Sequence, residues 1–405
     1  MSGSAAKLPV YLDWAATTPL RPCVVEAMRP FLQPGMEGLV AGGGNANSLY
    51  RVGRTAFKAL EGAREDLARL VGARPNEVIF TSGATEADNA ALFGIVDALM
   101  MQADHEGDHD CVPNVVVSSI EHDAVLAAAR VLNGWGADVT FVEPDKNGFV
   151  TPDALSRAMN EHTILVSVMA VNNEVGSVMD VPSLSKVAHS KGNHGKGAVF
   201  HVDATQALGK VPVNVREWGV DAMSLSSHKV GGPKGVGALY VKTRTPFSAQ
   251  IVGGGQELGK RSGTQNVCGV VGFVAAAKQA VAEQAIEADR LRGLRDACYE
   301  GLCALPGVKA TVACERGSLS FAPHVVNVTV EGIESETLIL RLDNEGFCVS
   351  GGSACASHSL DPSHVLAAIG IPRDRALTSL RASFGWETSE EDVQSFVNAF
   401  GRLFA

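Results

Sequence analysis

No apolar run in this chain is long enough to span a membrane. The first residues, MSGSAAKLPVYLDW, lack the charged and then apolar layout of a signal peptide. Both absences point to a cytoplasmic protein with no membrane partner. The eight cysteines, at positions 23, 111, 268, 298, 303, 314, 348 and 355, contain no CxxC pair. Neither a zinc site of regular spacing nor a disulfide framework is suggested. Internal repeats and long low-complexity tracts are also missing. Positive charge is in deficit: 34 Lys and Arg stand against 44 Asp and Glu, a net charge of −10. That argues against direct binding of nucleic acid or an anionic membrane as the main role.

What is present describes a soluble globular protein with a large core: 405 residues, 46% hydrophobic and 19% charged. The middle of the chain alternates apolar strands (78–81, 115–118, 164–169, 199–202, 222–226 and 238–241) with helical patterns such as 85–100 and 124–133. Such alternation predicts an α/β fold with a mainly parallel, doubly wound sheet covered on both faces. After about residue 265 the pattern changes. A long helix (269–305), a strand (325–330), a helix (334–345), a short strand and a strand over 379–384 predict a smaller α+β C-terminal domain. The last helix is expected to start at Thr388, with Thr388 and Glu391 as a capping-box pair. The His- and Asp-rich stretch 100–114 reads as a solvated surface insertion rather than a metal tract.

Candidate chemistry collects where strands end, the place where open α/β sheets bind ligands. VIFTSGATEADN places Gly83, Ala84 and Thr85 between a strand and a helix, where backbone N–H groups and the helix dipole can meet a phosphate. His122 ends the next strand, and Asn172, Asn173 and Glu174 the one after. His201 and Asp203 share a strand face, with Gln206 one turn on. Ser226, Ser227, His228 and Lys229 precede a Gly-Gly-Pro break. Two chemistries could use this set. One is a metal centre built from His122, His201, Asp203 and His228, as in a metal-dependent hydrolase. The other is pyridoxal 5'-phosphate (PLP), which needs a bonding lysine, an acid for the ring nitrogen, a stacking partner and a phosphate cradle. The metal reading leaves Lys229 and the Gly83–Thr85 turn unexplained, so PLP is preferred.

Taken together, YLDWAATTP, FTSGATEADN, EHDAV, VNNEVG, HVDATQALGK, SSHKVGGPKGVGALY, RSGT and SGGSACASHSLDPSHVL resemble the cysteine desulfurases of the class V aminotransferase group. The last of these is the most specific and resembles the long-loop class. The resemblance spans nearly the whole chain. It implies a PLP-dependent transferase-like large domain over residues 15–265. Residues 266–405, with 1–14, would form the small domain carrying Cys355.

The roles it implies are specific. Lys229 would hold PLP and move a proton. Asp203 would face the ring nitrogen, Gln206 the ring oxygen, and His122 would stack on the ring and serve in acid–base transfer. Ala84, Thr85, Ser226 and His228 would hold the phosphate, joined by Thr264 from a neighbouring subunit of a homodimer. Arg381 would clamp the carboxylate of L-cysteine with help from Asn173. The Cys355 thiolate would take the substrate sulfur as a persulfide and leave L-alanine. Gly351 and Gly352 would give its segment backbone freedom to serve both the site and an acceptor protein. Tyr50, Trp14, Ser227 and Ala170 depart from the usual pattern. The chain stops about one helix after Arg381, where scaffold-serving relatives often carry a longer tail. An iron–sulfur scaffold and a tRNA-thiolation enzyme both remain open as acceptors. Other class V activities (aminotransferase, selenocysteine lyase) and a non-catalytic sulfur-carrier module are the alternatives to desulfuration.

Overall fold

The computed structural model describes residues 8–106, 112–352 and 361–403. Cys355 and Cys111 lie outside the described residues. In chain order the strands are β1 (Val10–Tyr11), β2 (Val78–Thr81), β3 (Asn114–Ser118), β4 (Asp138–Val142), β5 (Thr163–Ser167), β6 (Val199–Asp203), β7 (Ala222–Ser226), β8 (Gly237–Val241), β9 (Val308–Ala310), β10 (Val325–Val330), β11 (Phe347–Cys348) and β12 (Ser379–Ser383).

Seven of them form one sheet in the order β2-β8-β7-β6-β5-β3-β4. All run one way except β8, which is antiparallel to both neighbours. β2, β3, β7 and β8 are buried along their whole length, as strands covered on both faces should be. The sequence reading names six of these strands and omits β4, a sheet-edge strand whose first four residues are partly or fully exposed. The helices Ala84–Glu106 and Asp123–Gly134 pack against each other on one face and share a core with Ile79, Val115, Val117 and Leu239. Helix Ala84–Glu106 runs into the stretch expected to be an insertion, and its Met101 is exposed.

The 37-residue helix Val267–Cys303 contributes to two cores. Val270, Phe273 and Ala277 join the large core, whereas Leu291, Leu294, Cys298 and Leu302 join a second one. That second core lies under the antiparallel sheet β12-β10-β9 and includes Leu12, Val326, Leu380, Phe396 and Phe400. Leu12 reaches it because β1 pairs in parallel with β11, Val10 opposite Phe347.

The last helix is Glu390–Arg402 rather than one starting at Thr388, and its capping box is Ser389 with Asp392. The buried Thr388 instead turns inward. Its hydroxyl accepts from Gly385 N at 3.0 Å, and its carbonyl accepts from Arg290. A hydroxyl committed to a buried amide cannot also cap the helix, so the cap moves one residue on.

Candidate active site

A cleft of about 440 Å³ opens at the carboxyl ends of β2, β5, β6 and β7. Ala84, Thr85, His122, Asn173, Asp203, Gln206, Ser226, His228, Lys229 and Arg381 all line it. The chain supplies them from positions as far apart as 84 and 381 because parallel strands deliver their ends to one edge of the sheet.

Lys229 closes the one-turn helix that follows β7. Its Nζ donates to the carbonyls of Ala15 and Ala16 at 2.6 and 2.7 Å. Gln206 Nε2 donates to the same Ala15 carbonyl at 2.9 Å. The YLDWAATTP motif therefore supplies one wall of the cleft. Asp203 ends β6, is 5% exposed and accepts from Thr205 N at 2.8 Å. His228 Nδ1 meets Thr17 Oγ1 at 3.0 Å. Burial, reinforced by the charges of Lys229 and Lys234, drives the His228 imidazole down to about 4, so it is neutral near pH 7.

His122 is the N-cap of helix Asp123–Gly134, where Nδ1 accepts from Ala124 N at 3.2 Å. An accepting Nδ1 leaves the neutral ring's proton on Nε2. Ala84 begins a 23-residue helix, and Ala84, Thr85 and Glu86 of its first turn line the cleft, at the end where a helix leaves backbone N–H groups without intrahelical partners. A β-carbon on Gly237 would lie 2.6 Å from Gly83 C, so only glycine lets β8 pass behind that turn. Opposite, Arg381 on β12 is 1% exposed. Its guanidinium donates to Asn173 O at 2.9 Å and to Asp13 Oδ1 at 2.8 Å, and its Nε has no partner.

Thr264 does not line the cleft; it lies exposed on the loop before the long helix. That loop is held by a buried pair in which Arg64 reaches both Glu257 oxygens, at 2.7 and 2.9 Å. Among the departures, Trp14 packs edge-on against Trp386 and Tyr50 is exposed.

The metal alternative is overturned by geometry. His201 is fully buried in the sheet, with Nδ1 at 2.8 Å from Ser167 Oγ and Nε2 at 3.0 Å from Ser224 Oγ. Both ring nitrogens are occupied, and burial pushes its imidazole down to about 3. Among the described residues no three His, Cys, Asp or Glu side chains are grouped to hold a metal ion.

Sequence reasoning missed two acids. Asp88 and Glu121 are buried, and burial followed by the nearby charge of Asp203 pushes Asp88 well above the usual carboxylate range. Burial also raises Glu121, where Asp203 adds to the effect and a bond from Met169 N opposes it. Both sit inside quoted motifs, GATEADN and EHDAV, but neither an acid one turn into a helix (Asp88) nor one just before a helix (Glu121) carries any sign of its burial.

The model of the class V aminotransferase family matches residues 10–396. A cysteine desulfurase IscS of Dictyoglomus turgidum is 41% identical over 397 residues, covering 98% of this chain and 95% of the relative. One from Pectobacterium carotovorum is 43% identical over 403 residues, covering 98% and 94%. Among solved structures, a NifS-like protein superposes with a TM-score of 0.86 at 34% identity, covering 98% of this chain and 99% of its own. SspA in complex with cysteine gives 0.74 at 31% identity, covering 92% and 98%. The chain belongs to the class V aminotransferase family and, within it, to the cysteine desulfurases.

Proposed function

We propose that this protein is a PLP-dependent cysteine desulfurase that converts L-cysteine to L-alanine and receives the sulfur on Cys355. The observation that carries the reading is one cleft in which Lys229, Asp203, His122 and Arg381 meet, lined by a helix N-terminus. The side chains fit PLP: an amine for its aldehyde, a carboxylate for its ring nitrogen, an imidazole for its face, and backbone amides with Thr85 and Ser226 for its phosphate. Bound there, PLP supplies an electron sink that weakens the bonds at the amino acid's α-carbon.

Arg381 would bind the substrate carboxylate with Asn173 beside it, since it lines the cleft and its buried Nε still lacks a partner. Asp203 would hold its negative charge against the ring. Lys229 Nζ and His122 Nε2 would move protons at the substrate. The Cys355 thiolate would form an S–S bond to the substrate sulfur as the substrate C–S bond breaks. That electron pair stays with carbon, which takes a proton and becomes the methyl group of alanine.

Dividing the chain into residues 15–265 and 266–405, the latter with 1–14, puts Lys229 on one body and Arg381, Asp13 and Cys355 on the other. Leu12 packing with the Phe384 and Phe396 core supports that division. No helix among the described residues is long and apolar enough to cross a membrane. The sulfur acceptor is an iron–sulfur scaffold or a tRNA-thiolation protein, and the working unit is a homodimer.

The test is to add cysteine to the purified yellow protein and assay alanine and protein-bound persulfide together. A keto acid in place of alanine would indicate an aminotransferase. No turnover at all would leave a carrier module and contradict the proposal.

A further inference from the structure

The carbonyls of residues 228 to 231 follow one another around the turn that bears the cofactor lysine, and each is held from outside that turn. Thr18 donates to His228 O through both N (3.1 Å) and Oγ1 (2.8 Å). Arg21 donates Nε to Val230 O at 3.1 Å and N to Gly231 O at 2.9 Å. The Lys229 carbonyl is met by the amine of another lysine, Lys210 Nζ, at 2.9 Å. Lys210 closes the HVDATQALGK motif, and nothing in the desulfuration chemistry above uses it.

Its surroundings make its charge matter. The side chain borders a small cavity of about 20 Å³ beside Trp14, Val230, Ala280 and Trp386. Burial first, then the charges of Arg21 and Lys229, bring the Lys210 amine down to about 7. The nearby acids are committed elsewhere. Glu283 pairs with Arg21 at 2.6 Å, and both Glu287 oxygens accept from Arg290. The buried His324 is kept neutral by burial and by the charges of Lys210, Arg381, Lys229 and Arg295. On the cleft side, Asp203 lines the same cleft as Lys229, and burial with the charges of Lys229 and Lys234 keeps His228 neutral. Below about pH 7, where the Lys210 amine carries its charge, it is a cation beside a reactive lysine and makes that lysine easier to deprotonate.

We propose that Lys210 is a positioning residue for Lys229, fixing its backbone carbonyl and disfavouring a second positive charge on its side chain. The proposal rests on reading Lys229 as the lysine that holds PLP.

The test uses PLP-loaded wild type, K210M and K210R. It reads the pH midpoint of the visible absorbance band, then kcat and KM for cysteine. Removing the charge in K210M should raise the midpoint by about one pH unit. It should also lower kcat by about tenfold while KM changes little, because the lost bond orients the lysine and not the substrate. K210R keeps both charge and donor and should keep the wild-type midpoint. If K210M does not load the cofactor, K210Q, a donor without charge, carries the same comparison. An unmoved midpoint in the uncharged variant, or equal shifts in K210R and the uncharged variant, overturns the proposal. Borohydride reduction and peptide mapping of the wild type keep the two readings apart. Label on Lys229 with an unmoved midpoint overturns only the role of Lys210. Label on another lysine overturns the reading of Lys229 itself.

Discussion

Arg381 Nη2 lies 2.8 Å from Asp13 Oδ1, joining a residue of the cleft wall to one 368 positions away in the chain. The Arg381 side chain is 2% exposed, so its charge is compensated before any substrate arrives. A planar fork already held on two sides by Asp13 and Asn173 O is pre-organised to take a third partner. Replacing it with the point charge of lysine removes that geometry. Arg381→Lys should raise KM for cysteine roughly 10- to 100-fold, the worth of hydrogen bonds to a charged group. Cofactor loading, read from the visible band, should stay intact. Steady-state kinetics with an unchanged KM would show that the carboxylate binds elsewhere.

Asp203→Asn should retain PLP and lose activity by at least about a hundredfold, because a neutral amide no longer balances charge on the ring nitrogen. Thr205 N, which now donates to Asp203 Oδ1, can donate equally to the amide oxygen, so the local fold has no reason to change. Near-native turnover in this variant would assign the ring nitrogen to another group.

Thr264 is exposed and outside the cleft of its own chain. Its loop is nonetheless anchored by the buried Arg64–Glu257 pair and by Arg261 to Glu86 at 2.8 Å. A rigid loop presenting an exposed hydroxyl suits a site completed across a dimer. Sedimentation should give a dimer, and Thr264→Ala should speed PLP loss on dialysis while leaving the dimer intact. A monomer saturated with PLP would contradict this.

Glu121 gives a prediction in pH. Burial lifts its carboxyl well above the ordinary value of 4.5, so the folded state holds a proton that the unfolded chain releases. The stability this contributes is complete below about pH 4.5 and is lost as pH rises through the folded value. Glu121→Gln keeps an oxygen for Met169 N, now bonded at 2.6 Å, and removes the titration. The melting temperature of Glu121→Gln relative to wild type should therefore rise between pH 5 and pH 8. A gap that stays constant over that range would mean Glu121 is ionised in the fold.

Much of this site was legible in the sequence because it stands at the ends of buried strands. The largely buried strands β6 and β7 stop at Asp203 and Ser226, and a polar residue closing such a strand marks the sheet edge where ligands bind. What stayed hidden depends on distant or weakly patterned contacts. β4 was missed because an edge strand mixes Thr140 and Asp138 with Val139 and Phe141. The two residues of β1 and three of β9 are too short for any periodicity. Asp13 could not be paired with Arg381 from spacing alone. His201 looked like a ligand because the alternation of a strand gives its face, not the serines on neighbouring strands that occupy its ring. The cap at Ser389 rather than Thr388 was decided by a buried Gly385 amide that local sequence does not reveal.

In the proposed desulfurase, Cys355 is the residue that takes the sulfur. Cys348 is the nearest competing thiol in sequence. It lies on β11, where burial and then the charges of Asp343 and Asp13 raise its thiol above the usual value and reduce the thiolate available for attack. The decisive measurement compares Cys355→Ser with Cys348→Ser, both loaded with PLP, for alanine release and for persulfide by mass spectrometry after cysteine is added. Cys355→Ser should remain yellow and change its spectrum on binding cysteine, yet form neither alanine nor persulfide, because a serine hydroxyl is not ionised near neutral pH. Cys348→Ser should behave as the wild type. Alanine release by Cys355→Ser, with persulfide on another cysteine, would contradict the mechanism at its central step.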